Sequence, residues 1–451
     1  MIWTRRQWMA AAGAFRPGAT PFRNRVGKLR VSDNRRFLTF ADRTPFFYLA
    51  DTAWELFHRL DRDETRYYLD NRARKGFNVI QAVALAELDG LTEPNRQGDL
   101  PLEDGDPLRP NPAYFAHVDW VLEEAAQRGL FVGLLPTWGN KVTQGSWEKK
   151  NEVIFKESSA YVYGRWIGQR YRNASNLIWI LGGDRNPRDV IPVWRAMARG
   201  IRETDTGGHL MTFHPQGNAS SAEYLHAEPW LDFNMLQSGH NQRDRRNDLM
   251  ISSDLARQPR KPVLDGEPRY ENHPVDWKPA EKGWFDDFDV RQAACWSVFA
   301  GACGHTYGCH DVWQMKAEGR QPVGLARGDW KSSLDLPGAT QMGYLRQLIE
   351  SLDYFSREPD PLLVEDPGSG GDHIEACRGN GYALIYLPYG QPVQVRMQRL
   401  AFRRVRASWW NPRTNQRQAA RPPEWRALTL FSPPEPPRRG NDWVLILEAR
   451  A

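Results

Sequence analysis

Asn176-Leu-Ile-Trp-Ile-Leu-Gly-Gly-Asp184 joins an apolar run to two glycines and a carboxylate. A run with no polar alternation is a strand buried on both faces, as in a parallel sheet covered by helices. The glycines let the backbone turn and approach a ligand, so Asp184 is placed where the strand ends. Pro262-Val-Leu-Asp-Gly-Glu267 repeats the arrangement, with Glu267 after its own glycine and Pro-Arg-Tyr-Glu271 beyond it. A strand-end carboxylate can be a helix cap or half of an ion pair. Two of them after parallel-type strands can also face one pocket.

The same rhythm extends in both directions. Strands are expected at 46–50, 76–85, 130–136, 176–181, 209–213, 230–236, 262–264 and 301–307. Helices are expected between and after them, near 61–69, 112–128, 151–172, 188–204, 243–257, 287–300 and 338–352. Asp61 or Asp63 caps the first of these. An insertion at 86–112, rich in Asp, Glu, Pro and Gly, is expected to be a loop after the second strand. Eight strand-then-helix units predict an α/β fold, a (β/α)8 TIM barrel, whose chemistry sits on the loops after the strands. A doubly wound open sheet is the competing fold, but no Gly-x-Gly-x-x-Gly or phosphate loop supports it.

Before the barrel, 29–40 reads as a hairpin turning at 32–35. After it, short alternating stretches at 373–377, 382–387, 393–397, 405–410 and 442–448 predict a small C-terminal all-β sandwich. The proline-rich stretch 422–437 is expected to be one of its long loops. The division is then a tail at 1–27, a catalytic barrel at 28–356 and a sandwich at 357–451.

Composition sets the outer limits. With 451 residues, 41% of them apolar and 25% charged, the chain can build a large core in more than one domain. The net charge of +5 is small, and no basic run interleaved with aromatics argues for nucleic acid. No 18-residue apolar run suggests a membrane span. Residues 4–15 hold paired arginines followed by small and apolar residues, so export to the periplasm or beyond is expected, with a basic tail as the alternative. Cys303 and Cys309 could pair or be two buried thiols, and the spacing leaves both open. Tryptophan is abundant, at 19 residues, and Trp54, Trp138, Trp147, Trp284, Trp313 and Trp330 lie near polar or glycine-rich loops. Core packing accounts for many such rings, but flat aromatic faces also stack on sugars.

Cleaving a glycosidic bond needs a proton for the departing oxygen and a carboxylate to meet the charge that develops at the anomeric carbon. Strands four and seven of a barrel face each other, so Asp184 serves as acid/base and Glu267 as nucleophile, with Arg269 and Tyr270 expected to keep Glu267 ionised. Glu271 is the alternative nucleophile, and Asp265 is read as a structural partner within the strand.

Asp51-Thr-Ala-Trp-Glu-Leu-Phe-His58, Gly76-Phe-Asn-Val-Ile-Gln81, Leu181-Gly-Gly-Asp184, Phe213-His-Pro215, Gln237-Ser-Gly-His240 and Gly266-Glu-Pro-Arg-Tyr-Glu271 together resemble the apiosidase-like catalytic domain of glycoside hydrolase family 140. Trp409-Trp-Asn-Pro-Arg-Thr414 resembles the collagen-binding-type β-sandwich that follows that domain. The resemblance implies a retaining hydrolase of apiose-containing pectin side chains, with the acid/base at Asp184 and the nucleophile at Glu267. No cofactor and no metal are expected. Candidate sugar contacts are Asp51, Trp54, His58, Trp138, Asn140, Arg185, His214, Gln237, His240, Tyr270, Tyr307, His310 and Trp313.

Two rival functions use the same frame. A metal-dependent hydrolase would draw on His214, His240, His305, His310 and Asp311, yet strand one ends without His-x-His and no His-Glu-x-x-His helix occurs. A non-catalytic glycan-binding protein is the other rival, and both carboxylates argue against it.

Overall fold

The computed structural model describes residues 22, 24–145, 152–422 and 424–450. The arginine-bearing stretch 4–15 and Trp147 lie outside them. Eight parallel strands form the barrel: Tyr48–Thr52, Val79–Val83, Phe131–Leu135, Leu177–Gly182, Met211–His214, Asn234–Gln237, Val263–Asp265 and Gly304–Tyr307. The ladder runs from strand five back through strand one, then on to eight, seven and six. Strands five and six close the ring without a full ladder. Asp232 N donates to Met211 O at 2.8 Å, and Thr212 Oγ1 donates to Phe233 O at 2.7 Å. A short strand unforeseen in the sequence, Ala219–Ser220, pairs antiparallel with strand six on the open side.

All eight strands begin one to four residues later than the apolar runs suggested. Phe46 belongs to a three-stranded antiparallel sheet of Leu29–Val31, Leu38–Phe40 and Pro45–Phe46, where it packs on Phe40 and Phe131. Residues 230–233 approach strand six as loop. The shift matters because side chains alternate along a strand. Tyr48 points inward and donates to Gln81 Oε1 at 3.1 Å, which puts Asp51 on the outer face.

The helices start where the chain offers a cap. Asp61 accepts from Glu64 N while Glu64 reaches back to Asp61 N, a capping box that opens Arg62–Arg74. Asn111 accepts from Ala113 N and Pro112 takes the first helical position of Pro112–Gln127, where its missing N–H costs nothing. Two other helices are shorter than expected, Glu157–Tyr171 and Asn247–Leu255.

The C-terminal sandwich sets a six-stranded sheet against a two-stranded one. The larger runs in the order Glu358–Pro359, Glu375–Gly379, Tyr382–Leu387, Trp443–Ala449, Val405–Asn411, Gln416–Ala419. The smaller pairs Val393–Arg396 with Leu428–Phe431. The stretch 422–437 is therefore not one loop. Thr429 and Phe431 are buried while Leu428 and Leu430 are exposed, the alternation of a strand, and the flanking prolines hid it.

The six-stranded sheet is covered on both faces. Ala383, Ile385, Leu387, Leu445 and Leu447 face the sandwich's own core. Tyr382, Leu384, Tyr386, Val444 and Ile446 join the barrel's core. Helix Asp287–Phe299 lies between the two, and nearly every one of its residues is buried. From it, Arg291 forks onto Asp442 of the sandwich at 3.0 and 2.8 Å, both side chains buried. Removing one member of such a pair strands the other charge. Asp442→Ala should lower the unfolding free energy by about 3–5 kcal/mol in denaturant titrations. Replacing both partners with apolar residues should restore much of it. A loss below about 1 kcal/mol would mean that Arg291 keeps enough partners without Asp442.

Candidate active site

The turn after strand four is built from three consecutive left-handed residues, Gly182 (φ 91°), Gly183 (φ 119°) and Asp184 (φ 52°). A Cβ at Gly182 would come within 2.3 Å of His214 O, and one at Gly183 within 2.8 Å of Gly139 N. Only glycine fits there. Asp184 tolerates its conformation because Asp is among the few residues that visit the left-handed region. The turn is pinned on both sides, by Gly183 N to His214 O at 3.0 Å and Gly139 N to Gly183 O at 3.2 Å. It sets the Asp184 carboxylate facing the mouth, with 33% of the side chain exposed.

Glu267 follows strand seven and is almost wholly buried. Gly266 N donates to Leu236 O at 2.8 Å, and Gln81 Nε2 reaches across the barrel to Gly266 O at 3.1 Å. Two imidazoles flank the carboxylate: His240 Nε2 hydrogen-bonds Oε1 at 3.0 Å, and His214 Nε2 lies 2.9 Å from Oε2, off hydrogen-bond geometry. Asp184 N donates to His214 Nδ1 at 3.4 Å. One side chain, His214, thus touches both strand-end residues.

The environment drives the two carboxyl groups apart. Burial first, then the negative charges of Glu267 and Glu87, push the Asp184 carboxyl up to about 7, against the opposing pull of Arg185 and His214. Burial also acts to raise Glu267, but hydrogen bonds and charge from His214 and His240 overturn it and bring the group down to about 2. Near neutrality, one carboxyl is poised to hold a proton while its neighbour is ionised. That split is the signature of an acid paired with an anion.

The family model described as "Apiosidase-like, catalytic domain" matches residues 32–356. The chain belongs to the apiosidase-like family. A second model, "Putative collagen-binding domain of a collagenase", matches residues 359–448. Among solved structures, a chain titled "Glycoside hydrolase" is 33% identical, with TM-score 0.86, over 94% of this chain and 97% of its own. A glycoside hydrolase family 5 structure from Bacteroides vulgatus ATCC 8482 is also 33% identical, with TM-score 0.87, over 94% of each chain. A structure titled "putative glycoside hydrolase" from the same organism shares the fold at 16% identity and TM-score 0.65, over 94% of this chain and 82% of its own. No curated protein matches this chain in sequence.

Around the apiosidase-like carboxylates, the rings of Trp54, Trp138 and His214 pack together, with centroids 5.1–5.8 Å apart. Arg185 spans Asp184 Oδ2 at 3.3 Å and Glu87 Oε1 at 3.0 Å. Trp138 Nε1, Gln237 Oε1, His240 Nδ1 and Tyr270 Oη are buried with no hydrogen-bond partner among the described residues. Burial and the charge of Glu267 hold the Tyr270 hydroxyl well above its usual range, so it stays protonated.

Other expected contacts are elsewhere. Asp51 faces outward, where it accepts from Tyr68 Oη and Arg72 Nε of the first helix. Tyr307 also faces outward and donates to Glu271 Oε2 at 2.6 Å, while Glu271 Oε1 accepts from Gly338 N at 3.3 Å. Both therefore belong to the strand–helix layer, which removes Asp51 and Tyr307 as sugar contacts and Glu271 as a nucleophile. Arg269 donates to Gln292 Oε1 at 2.9 Å and faces helix Asp287–Phe299, so His214 and His240 take the part expected of it. Asp265 does lie within strand seven, and accepts from Ser238 Oγ and Asn247 Nδ2.

His58 is engaged by Glu55 at 2.8 Å and Asn140 by Glu152 at 3.1 Å, and both are buried supports of the loops. His310 contacts Gly324 O at 2.8 Å, and Trp313 Nε1 donates to His310 Nδ1 at 3.2 Å. Trp330 is fully buried against Tyr67, and Trp284 carries the Arg327 guanidinium 4.0 Å from its ring. The five residues of the metal-dependent rival do not converge. His305 pairs with Ser297 Oγ at 2.9 Å, and Asp311 accepts from Asn272, Arg327 and Gly328. Among the described residues, the group able to hold a metal is Asp248, His373 and Glu375, where sandwich meets barrel. All four cysteines are free and buried, so Cys303 and Cys309 are thiols.

Sequence reasoning missed Glu87. It stands just past strand two, as Asp184 and Glu267 stand past theirs, and that position was the available signal.

Proposed function

We propose that this protein is a retaining glycoside hydrolase of the family 140 type, removing apiose-containing branches from exported-side pectic glycans. Asp184 is the acid/base and Glu267 the nucleophile. The observation that supports this is the placing of two strand-end carboxyl groups on either side of His214, in surroundings that favour a protonated Asp184 and an ionised Glu267.

In the first step a Glu267 oxygen attacks the anomeric carbon while Asp184 gives its proton to the departing oxygen. The products are a glycosyl ester on Glu267 and a free alcohol. In the second step the ionised Asp184 takes a proton from water, whose oxygen displaces Glu267 and leaves the anomeric configuration as it began. His240 favours the carboxylate leaving group of that step by bonding to the anion, and the His214 ring lies beside its other oxygen. Trp54 and Trp138 offer apolar faces to the sugar, and the unpartnered polar atoms suit its hydroxyls.

Activity requires Glu267 ionised and Asp184 protonated. Glu267 loses its charge as pH falls toward 2, and Asp184 loses its proton as pH rises through 7. The rate kcat/KM should therefore follow a bell with limbs near those values. Apiose release from rhamnogalacturonan II oligosaccharides, with the product's anomeric configuration followed by NMR, tests substrate and stereochemistry together. Inversion would remove the nucleophile role, and a rate still climbing above pH 8 would remove Asp184 as the acid.

A further inference from the structure

On the loop after strand seven, Trp277 is 48% exposed. It follows Asp276, and both take left-handed backbone angles, φ 59° and φ 54°. Such conformations are costly for a residue with a side chain and persist where the surroundings over-determine them. The surroundings do so here. Asp276 N donates to His240 O at 2.9 Å, Trp277 N donates to Pro274 O at 3.2 Å, and Lys282 Nζ donates to Asp276 Oδ2 at 2.6 Å. The indole is propped as well, with His273 4.4 Å and His310 5.9 Å away, both edge-on. Gly324 leaves room for it, since a Cβ there would lie 2.0 Å from the ring.

The position is continuous with the catalytic centre. His273 stacks on His240 at 4.3 Å, and His240 holds Glu267. An indole held against strain at the rim, open to solvent, connected by two stacked rings to the nucleophile, suits the apolar face of a sugar. We infer that Trp277 is the platform on which a second sugar ring of the substrate stacks, next to the ring that is cleaved. This rests on the hydrolase reading, and the platform sets preference for glycan length.

The test compares wild type with Trp277→Ala and Trp277→Phe on a rhamnogalacturonan II side-chain oligosaccharide and on a nitrophenyl apioside. Trp277→Ala should lose kcat/KM at least tenfold further on the oligosaccharide than on the nitrophenyl substrate, chiefly through KM. Trp277→Phe should recover most of the difference. Equal losses on both substrates, or none, overturn the inference. If wild type cleaves neither substrate the hydrolase reading falls, and titration of the same oligosaccharide into Glu267→Gln, with and without Trp277→Ala, decides the platform. Tenfold weaker binding in the double variant supports it. Equal binding, or none by either protein, overturns it.

Discussion

Glu267→Gln is expected to lower kcat by about 10⁴-fold or more while leaving glycan affinity within a few-fold. The amide keeps the shape of the side chain but cannot form the glycosyl ester. It also cannot offer two anionic oxygens to His214 and His240, so at least one imidazole must turn or accept instead of donate. A second consequence follows from charge. Glu267 is a leading cause of the raised Asp184 carboxyl, so its neutralisation should move Asp184 back toward the ordinary carboxylate range. A shift of the Asp184 signal to lower pH, read by NMR titration of the variant, would report that coupling independently of turnover. A Glu267→Gln protein with wild-type kcat would end the assignment.

Asp184→Ala is expected to cost about 10²–10⁴-fold on a natural glycan, whose alcohol leaves poorly without a proton. A nitrophenyl glycoside leaves without such help, so its first step should suffer much less. The glycosyl ester would then accumulate, because no base remains to activate water. Azide, which needs no base, should restore turnover and give a glycosyl azide of retained configuration. The limb near pH 7 should vanish with the carboxyl that causes it. An unchanged alkaline limb would point to another acid, with Glu87 the first to examine because Arg185 joins it to the same place.

The barrel was legible because its strands are covered on both sides, and continuous apolar runs such as 177–181 declare that directly. The strand-end positions of Asp184 and Glu267 were legible for a related reason. Each is a carboxylate set beside glycine at the end of such a run, and the left-handed turn at 182–184 is what the glycines were for. Facing was harder to read. A start displaced by two residues left the count of strands intact but moved Asp51 from the end of strand one into it, on the outer face. Tyr307 and Glu271 went to the helix layer by the same rule of alternation. The grip on Glu267 was invisible for another reason. His214 and His240 come from different strands, and only closure of the ring brings their nitrogens to one carboxylate. Arg269, the nearer residue in sequence, faces the other way.

The sheet that carries Tyr386 on one side and Ile385 on the other bears on how such a chain can be assembled in evolution. Modules traded by gene fusion usually meet across polar, separable surfaces. This pair does not. A different C-terminal partner would have to arrive with an acid where Asp442 stands and an apolar outer face to replace Tyr382, Leu384, Val444 and Ile446. Change on either side of the seam is therefore answerable to the other.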